Sequence, residues 1–383
     1  MSAHEPSSHG GRRARPPFRA DHVGSLLRPQ RLLQARDQAA AGALPAARLR
    51  EIEDEEIRAL VQMQRDVGLQ SATDGELRRG SWHMDFIHQL GGIEQVAGDV
   101  EVQFRNAEGR TTTFKPGAIA VTEKVTLDHT IFADDFRFLA ATVGDGVTPK
   151  LTIPSPNMVH YRSGQAALNP DVYPEMEPFW DDLAAAYRRQ VTGLAELGCE
   201  YLQLDDTSLA YLNDPNQRAS LASRGDDVDH LHETYVRNIN AALQGRPDGL
   251  TVTTHLCRGN FRSSWTAEGG YEYVAETLFG SLDVDGFFLE FDDERSGGLE
   301  PLRFVPPGKL VVLGLVTSKR PQLEDRDLLK RRIEEASRFV DIDRLCLSPQ
   351  CGFSSTLHGN ALTADEQRAK LALIVETAAE VWG

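Results

Sequence analysis

The sequence DDLAAAYRRQVTGLAELG (residues 181–198), followed by YLQLDDTS (201–208), shows the unit that repeats along this chain. The first part has apolar residues at helical spacing and stops at Gly198, and glycine readily takes the left-handed conformation that ends a helix. The second part is a short apolar run closing with two carboxylates, which is typical of a buried strand with polar residues at its carboxyl end. The sequence therefore predicts a helix followed by a strand of a parallel sheet.

The same alternation extends over most of the 383 residues. Eight short apolar runs are predicted to be strands: FRADHVGS (18–25), LQSATDGE (69–76), KLTIPSP (150–156), YLQLDDTS (201–208), LTVTTHLC (250–257), DGFFLEFDD (285–293), KLVVLGLV (309–316) and RLCLSPQC (344–351). Helical patterns cover residues 44–68, 181–198, 327–340 and 363–382. Alternating strands and helices imply an α/β fold with a parallel sheet, and eight repeats predict a closed (β/α)8 TIM barrel.

Two segments depart from this pattern. Residues 1–16 are polar, rich in Gly, Ser and Arg and without periodicity, so we expect a disordered tail. Residues 97–127 alternate apolar and polar positions around NAEGR (106–110), which is typical of antiparallel strands in a β-hairpin. We therefore expect one TIM-barrel catalytic domain over 17–383, with the hairpin inserted after the second strand.

The composition argues against several classes of protein. Asp and Glu total 57 against 41 Lys and Arg, a net charge of -16, which argues against nucleic acid and anionic membranes as partners. No apolar run approaches the ~20 residues of a membrane-spanning helix, and the N-terminus lacks the apolar core of a secretion signal. Four cysteines are too few for a disulfide scaffold and favour a reducing cytoplasm. The oligomeric state is left open.

Polar residues gather at the carboxyl ends of the predicted strands, where barrel enzymes carry their chemistry. His255 and Cys257 lie two apart on the fifth predicted strand and therefore point to the same side. Glu290 lies near the end of the sixth, and Cys351 ends the eighth. One nitrogen, one carboxylate oxygen and two sulfurs suit tetrahedral zinc. The alternative is that these side chains only pack, but matching residues at two further strand ends favour a metal site.

Three carboxylates are further candidates for the same end of the barrel. Asp205 and Asp206 close an apolar run, and because neighbours on a strand point in opposite directions, at most one faces the barrel centre. Either could instead cap the helix that follows. Glu76 could instead pair with Arg78 or Arg79 on a solvated turn. Alone, none of the three assigns a function.

Several segments resemble the C-terminal catalytic barrel of the cobalamin-independent methionine synthases, and most closely its short single-domain bacterial members. They are spread over nearly the whole chain: HVGSLLRP (22–29), TDGELRRGSW (73–82), LQLDDTSLAYL (202–212), THLCRGN (254–260), FLEFDDERSG (288–297) and LSPQCGFSS (347–355). A histidine and a cysteine two apart, with a glutamate and a cysteine at later strand ends, is a specific combination. The resemblance implies a TIM barrel, bound zinc and methyl transfer to a small thiol.

The resemblance also implies roles for individual residues. The zinc ligands would be His255, Cys257, Glu290 and Cys351. The homocysteine contacts would be Val23, Gly24 and Ser25 for the carboxylate, with Glu76 and Asp205 for the amino group. This division makes physical sense, because an ammonium group needs anionic partners and a carboxylate is well bound by backbone N–H groups.

The residues at the positions that contact the methyl donor differ from the family pattern. Lys319 stands where the family has its catalytic histidine, and an unperturbed lysine, with a pKa of about 10.4, is a poor acid at neutral pH. Tyr211 stands where a folate-contacting glutamate is expected, and His160 or Tyr161 replaces the folate-stacking tryptophan. The resemblance therefore indicates the methyl acceptor more firmly than the methyl donor.

The expected activity is zinc-dependent transfer of a methyl group from 5-methyltetrahydrofolate, or another carrier, to the thiol of homocysteine, forming methionine. Zinc would hold the thiol as a thiolate, since a free thiol with a pKa near ~8.5 is mostly protonated at pH 7. Two alternatives stay open: alkyl transfer to another thiol such as coenzyme M, and methyl transfer from a methylated corrinoid. A third is a purely structural zinc site, which would be closed by four protein ligands.

Overall fold

The computed structural model describes residues 13–96, 101–115 and 117–383. The strands of this part are β1 (Ser71–Ala72), β2 (Gly91–Val96), β3 (Val102–Arg105), β4 (Thr111–Phe114), β5 (Ala118–Thr126), β6 (Thr148–Pro154), β7 (Tyr201–Asp206), β8 (Thr251–Leu256), β9 (Gly286–Glu290), β10 (Leu310–Val316) and β11 (Leu345–Pro349). Its helices are α1 (Gln30–Ala40), α2 (Ala46–Asp66), α3 (Met84–Ile87), α4 (Ala133–Val143), α5 (Asn157–Ser163), α6 (Met176–Glu196), α7 (Ser208–Tyr211), α8 (Pro215–Ser223), α9 (Leu231–Leu243), α10 (Ala275–Ser281), α11 (Arg326–Ala336) and α12 (Ala364–Trp382). None of these helices is long and apolar enough to cross a membrane.

Seven parallel strands form the central sheet, in the order β1-β6-β7-β8-β9-β10-β11. The segment 19–26 lies between the two edge strands. On one side the Asp21 N–H donates to the Leu347 carbonyl of β11 at 3.0 Å. On the other side the Leu26 N–H donates to the Gly75 carbonyl, just beyond β1, at 3.1 Å. The result is an α/β fold with a curved parallel sheet, consistent with a TIM-like barrel.

The first predicted strand, residues 18–25, does not form a strand ladder; it makes one parallel bridge to β11, at Ala20. Asp21 explains why. Its buried carboxylate accepts from the backbone N–H of Phe18 at 3.0 Å and of His22 at 2.8 Å. A short side chain that bonds the local backbone competes with sheet pairing, so these N–H groups are not given to a neighbouring strand.

The second predicted strand, residues 69–76, is reduced to the two residues of β1. The side chain of Gln64 in α2 bonds both backbone polar groups of Thr73. Its Nε2 donates to the Thr73 carbonyl at 2.9 Å, and its Oε1 accepts from the Thr73 N–H at 3.0 Å. The chain then turns through Gly75 and Glu76, whose φ angles are +66° and +58°. This early end of β1 places Glu76 at the carboxyl end of the sheet.

Two antiparallel pairs lie between β1 and β6: β2 with β5, and β3 with β4. The pair β3–β4 is attached to the loop after β8. Arg105 N–H donates to the Trp265 carbonyl at 2.7 Å, and Trp265 N–H donates back at 2.9 Å. The Thr266 hydroxyl also donates to the Gln103 carbonyl at 2.8 Å. These bonds hold β3 and β4 beside the carboxyl end of β8.

Parts of the predicted domain organisation lie in residues that the structure does not describe. Residues 97–100 and 116 of the predicted hairpin lie outside the described residues, so a hairpin inserted as one unit over 97–127 stays a prediction. Residues 1–12 of the predicted tail also lie outside them. A single catalytic domain over 17–383 likewise stays a prediction.

The amino end of the barrel is closed by a buried polar cluster. Lys150 and Tyr201 are paired between β6 and β7, and Lys150 Nζ lies 3.3 Å from Asp21 Oδ1. The Tyr201 hydroxyl donates to Asp21 Oδ2 at 2.8 Å, and the Lys150 ammonium lies over the Tyr201 and Phe288 rings. Each charge has a partner, which offsets the cost of burying it.

Candidate metal and substrate site

His255, Cys257 and Cys351 meet at the carboxyl end of the barrel. β8 ends at Leu256, and its extended backbone directs His255 and Cys257 to the same side; Cys351 follows β11. One ligand atom from each lies within 4.8 Å of the other two, and all three side chains are buried. The structure therefore brings three of the four predicted metal ligands together.

These three side chains have the donor atoms and charge that a metal ion needs. Neither ring nitrogen of His255 has a hydrogen-bond partner among the described residues, although both are buried. The pKa of the Cys351 thiol lies well below its usual range, because the neighbouring Cys257 thiol, and to a smaller extent the His255 imidazole, stabilise its thiolate form. A buried imidazole without partners is costly in the absence of a ligand. Beside a thiolate and a second thiol, it fits a dication such as zinc.

Glu290, the fourth predicted ligand, ends β9 but does not belong to that group of three. Its Oε1 accepts from two Arg295 N–H groups at 2.5 and 2.9 Å, and Lys319 Nζ lies 3.6 Å from the same oxygen. Its Oε2 accepts from the Arg258 backbone N–H at 2.8 Å. Burial alone would raise the pKa of Glu290, but Lys319, Arg295 and Arg258 together lower it to about 2. Its part as a metal ligand stays a prediction.

Lys319, the predicted catalytic residue, lies beside Glu290 and is not among the residues that line the cavity around His255, Cys257 and Cys351. It lines a separate groove of about 670 Å³ together with Arg295 and Arg320. Its side chain is buried, and Nζ has no hydrogen-bond partner among the described residues; the carboxylate of Glu290, at 3.6 Å, is its ionic neighbour. The structure therefore brings Lys319 to Glu290, and a contact with substrate stays a prediction.

A cavity of about 320 Å³ has most of the predicted site residues in its wall. These are Val23, Ser25, Glu76, Asp205, His255, Cys257 and Cys351. Gly24 has a φ of +136°, and a Cβ there would lie 2.6 Å from Thr152 Cγ2, so this turn requires glycine. These seven residues contribute two thiols, one imidazole and two carboxylates to a space suited to a small molecule.

Glu76 and Asp205 are the two predicted substrate-binding carboxyl groups in the wall of the cavity. Glu76 Oε1 accepts from the Thr152 hydroxyl at 2.8 Å, while Oε2 is buried without a partner among the described residues. Asp205 Oδ1 accepts from the Gln203 amide at 2.7 Å. Burial raises the pKa of Asp205 to about 7 and also raises the pKa of Glu76. A cationic ligand would favour their ionised forms, so this corner of the cavity suits an ammonium group.

Asp206, next to Asp205, holds the first turn of α7. Its carboxylate accepts from the hydroxyls of Ser155 and Ser208 at 2.5 and 2.7 Å, and from the Leu209 N–H at 2.9 Å. Both aspartates border the cavity, but the oxygens of Asp206 are already used by the protein. The two adjacent carboxylates therefore differ: Asp206 holds the local fold, and a ligand contact of Asp205 stays a prediction.

The residues at the expected folate positions are near a second cavity of about 600 Å³. Tyr211 lines both cavities, and Tyr161 packs edge to face against it with ring centroids 5.4 Å apart. His160 is engaged elsewhere, with Nδ1 3.0 Å from the Tyr235 hydroxyl and Nε2 3.5 Å from Asp226. Of the two candidates for the tryptophan position, Tyr161 rather than His160 borders a cavity.

The main cavity also has an aromatic wall for which the sequence offered no signal. The Phe261 ring centroid lies 5.2 Å from that of Phe104 and 4.7 Å from that of Phe114. Phe104 and Phe114 belong to β3 and β4, whereas Phe261 follows β8. His83 and Arg162 also line the cavity. The alternating apolar residues of β3 and β4 indicate strands. That these strands reach the site depends on their backbone pairing with the loop after β8, which the sequence pattern does not show.

Fold and site together define an α/β, TIM-like barrel with a possible metal-binding group of one histidine and two cysteines at the carboxyl ends of its strands. The model of the cobalamin-independent synthase catalytic domain matches residues 18–380. The uncharacterized protein YxjG of Bacillus subtilis is 48% identical over 372 residues, which cover 97% of this chain and 96% of that protein.

Two solved structures share the fold. A Listeria monocytogenes protein, described as a candidate vitamin-B12 independent methionine synthase, is 39% identical with a TM-score of 0.78, covering 97% of this chain and 100% of that one. A B12-independent methionine synthase from Shewanella sp. W3-18-1, in complex with selenomethionine, is 19% identical with a TM-score of 0.68, covering 94% and 96%. This chain belongs to the cobalamin-independent methionine synthase family, which is known for zinc use.

Proposed function

We propose that this protein methylates the thiol of homocysteine to form methionine, using zinc held by His255, Cys257 and Cys351. The observation that carries the proposal is the position of these three groups in the same cavity as Glu76 and Asp205. A thiol that also bears an ammonium group is the ligand that this combination suits.

Zinc bound here would lower the pKa of a coordinated thiol, so that the sulfur is a thiolate at neutral pH. The residues of this chain orient the substrate. Glu76 and Asp205 bind its ammonium group, and the backbone at Val23–Ser25 binds its carboxylate. Glu290 is the candidate for the fourth metal position before the thiol arrives. Holding both ends of the amino acid fixes the sulfur for attack on a methyl group.

The proposed methyl donor is 5-methyltetrahydrofolate or another methyl carrier. With the folate, the sulfur–carbon bond forms as the nitrogen–carbon bond breaks, and the leaving amine takes up a proton. Lys319 is the candidate proton source, although its nearest charged neighbour is Glu290 at 3.6 Å. Lys319→Arg keeps the charge but releases no proton at neutral pH. A large loss of kcat in Lys319→Arg would support proton donation, and an unchanged kcat would restrict Lys319 to an electrostatic part.

The proposal is tested by methionine formation from homocysteine by the zinc-loaded protein, with one donor at a time. The donors are 5-methyltetrahydrofolate, its triglutamate form and methylcobalamin. Methionine from either folate supports the full proposal, and methionine from methylcobalamin alone supports the acceptor while replacing the donor. Methylation of coenzyme M but not homocysteine would overturn it. The carboxylates Glu76 and Asp205 disfavour that outcome, because a sulfonate needs cationic partners.

A further inference from the structure

Three side chains in the wall of the main cavity have nitrogen atoms without a partner. His83 and His88 lie directly before and after α3, and Arg162 lies in the last turn of α5; all three line this cavity. The Nε2 atoms of both histidines and the Nε of Arg162 are buried without a hydrogen-bond partner among the described residues. A buried polar atom without a partner is costly, so a ligand that accepts hydrogen bonds here would offset that cost.

His83 is held as a neutral ring. Burial, followed by the charges of Arg162 and His88, lowers the pKa of His83 well below its usual range. Its Nδ1 lies 3.1 Å from the Ser81 hydroxyl. In the tautomer in which this hydroxyl donates to Nδ1, the ring hydrogen is on Nε2, the nitrogen that has no partner. The ring then offers an uncharged N–H group beside the positive charge of Arg162.

Arg162 lies where the main cavity meets the second cavity. It lines both, together with Val102, Phe104 and Tyr211. Among the described residues that line the main cavity, Arg162 is the only lysine or arginine. The three grouped metal ligands and the two predicted substrate-binding carboxylates line the main cavity but not the second one. A ligand that extends from the metal group toward the second cavity therefore passes Arg162.

Asp85 is an acidic residue in the same part of the wall, and its carboxylate is bonded to the backbone. Its Oδ2 accepts from the Gly80 N–H at 2.6 Å, and its Oδ1 accepts from the Ser81 N–H at 3.2 Å. Both oxygens therefore hold the turn before α3, and Asp85 does not supply the acceptors that the three nitrogens lack.

We propose that Arg162, with His83 and His88, binds an anionic group of the methyl carrier at the junction of the two cavities. The proposal rests on the proposed function and adds the chemical class of the donor, a carrier whose anionic group is remote from its methyl group. Homocysteine has its own carboxylate contacts, at Val23–Ser25 in the proposed function. The anion is a carboxylate in 5-methyltetrahydrofolate and a phosphate in methylcobalamin, and a guanidinium binds either group well.

The test compares two pairs of carriers by calorimetric titration of the zinc-loaded protein. The first pair is 5-methyltetrahydrofolate and its diamide, in which both glutamate carboxylates are neutral. The second is methylcobalamin and methylcobinamide, which lacks the phosphate. Wild-type protein should bind the anionic member of one pair about tenfold to a hundredfold more tightly, the size expected for hydrogen bonds to a charged group. Arg162→Met should remove this preference, and the pair that shows it identifies the anion.

Three further variants make the comparison specific. Arg162→Lys keeps the charge without the planar fork of N–H groups, so it should retain part of the preference. His83→Phe keeps a ring but removes the N–H group, so it should weaken the anionic carrier and leave the neutral one unchanged. Arg105→Met is the matched control: it removes a cation that lines the second cavity alone, with a side chain 64% exposed, and should keep the full preference.

The inference is overturned by a wild-type protein without a preference in either pair, or by a preference that survives Arg162→Met. A preference lost equally in Arg105→Met would also overturn it, since the general charge of the second cavity would then be responsible.

Titration with homocysteine tests the proposed function separately. Its affinity should be the same in wild type and Arg162→Met; a large loss would place the homocysteine carboxylate at Arg162 and overturn the inference. A wild-type protein that prefers an anionic carrier through Arg162 but does not bind homocysteine would overturn the proposed function alone.

Discussion

The Thr152 hydroxyl donates to Glu76 Oε1 at 2.8 Å and leaves the other oxygen of Glu76 without a partner among the described residues. Glu76 has a φ of +58°, a conformation that residues other than glycine adopt only when their surroundings hold them there. Thr152, in β6, is part of those surroundings. The bond therefore orients Glu76 so that one oxygen remains for a ligand in the cavity.

Replacing Glu76 by glutamine should weaken homocysteine binding to the zinc-loaded protein about tenfold to a hundredfold, since a hydrogen bond to a charged group is worth about 1.5–3 kcal/mol. Calorimetric titration measures the change. The control ligand is 4-mercaptobutyrate, which is homocysteine without its amino group, and its affinity should stay the same. Equal losses for the two thiols would contradict the assignment of Glu76 to the ammonium group.

The neighbours Asp205 and Asp206 should respond in opposite ways. Asp206→Asn replaces one of the two acceptor oxygens by an NH2 group, which only donates, so either Ser155 or Ser208 loses the acceptor for its hydroxyl. We therefore expect about 1–3 kcal/mol lower stability, seen as a lower Tm. Asp205→Asn should instead weaken homocysteine binding with a small change in Tm. A destabilised Asp205→Asn together with an unchanged Asp206→Asn would reverse the two roles.

Removing either cysteine of the metal group should abolish zinc binding. Cys257→Ala and Cys351→Ala each leave two of the three grouped ligands, and metal analysis of the purified proteins should fall from about one zinc per chain to nearly none. Cys199→Ala is the matched control, because Cys199 is buried with its sulfur 3.5 Å from the Tyr201 carbonyl, at the amino end of β7. Zinc retained in Cys257→Ala would show that the ion is bound elsewhere.

Stability should fall in mild acid because of His22. Burial, followed by the charge of Lys150, lowers the pKa of His22 to about 4, against ~6.5 in an unfolded chain. Between these values the unfolded chain binds a proton that the folded protein does not, so the free energy of unfolding drops by about 3 kcal/mol as the pH decreases from about 6.5 to 4. Urea denaturation over this range measures the slope.

The matched variants for this pH effect are His22→Asn and His230→Asn. The first removes the buried titrating group and should flatten the slope between pH 6.5 and 4. The second removes an exposed histidine and should leave the slope as in wild type. Identical slopes in wild type and His22→Asn would assign the acid sensitivity to other groups.

Local patterns in the chain were enough to predict the repeating strand–helix architecture and to place His255 and Cys257 on the same side of one strand. Both follow from short-range periodicity: two residues apart on an extended strand share a face, whatever surrounds them. Cys351 could be placed with them because parallel strands of a barrel bring their carboxyl ends together. The same patterns failed at the first predicted strand, where Asp21 uses the local N–H groups.

Side-chain partners could not be read from the chain in the same way. Glu290 has the chemistry of a zinc ligand, yet Arg295 and Lys319 bind it in the folded protein. Which group Glu290 binds depends on the distances to charged side chains that come from different loops of the fold. Phe104 likewise reaches the cavity only because β3 docks on the loop after β8. Periodicity is a property of neighbouring residues, whereas these contacts depend on distances that only folding sets.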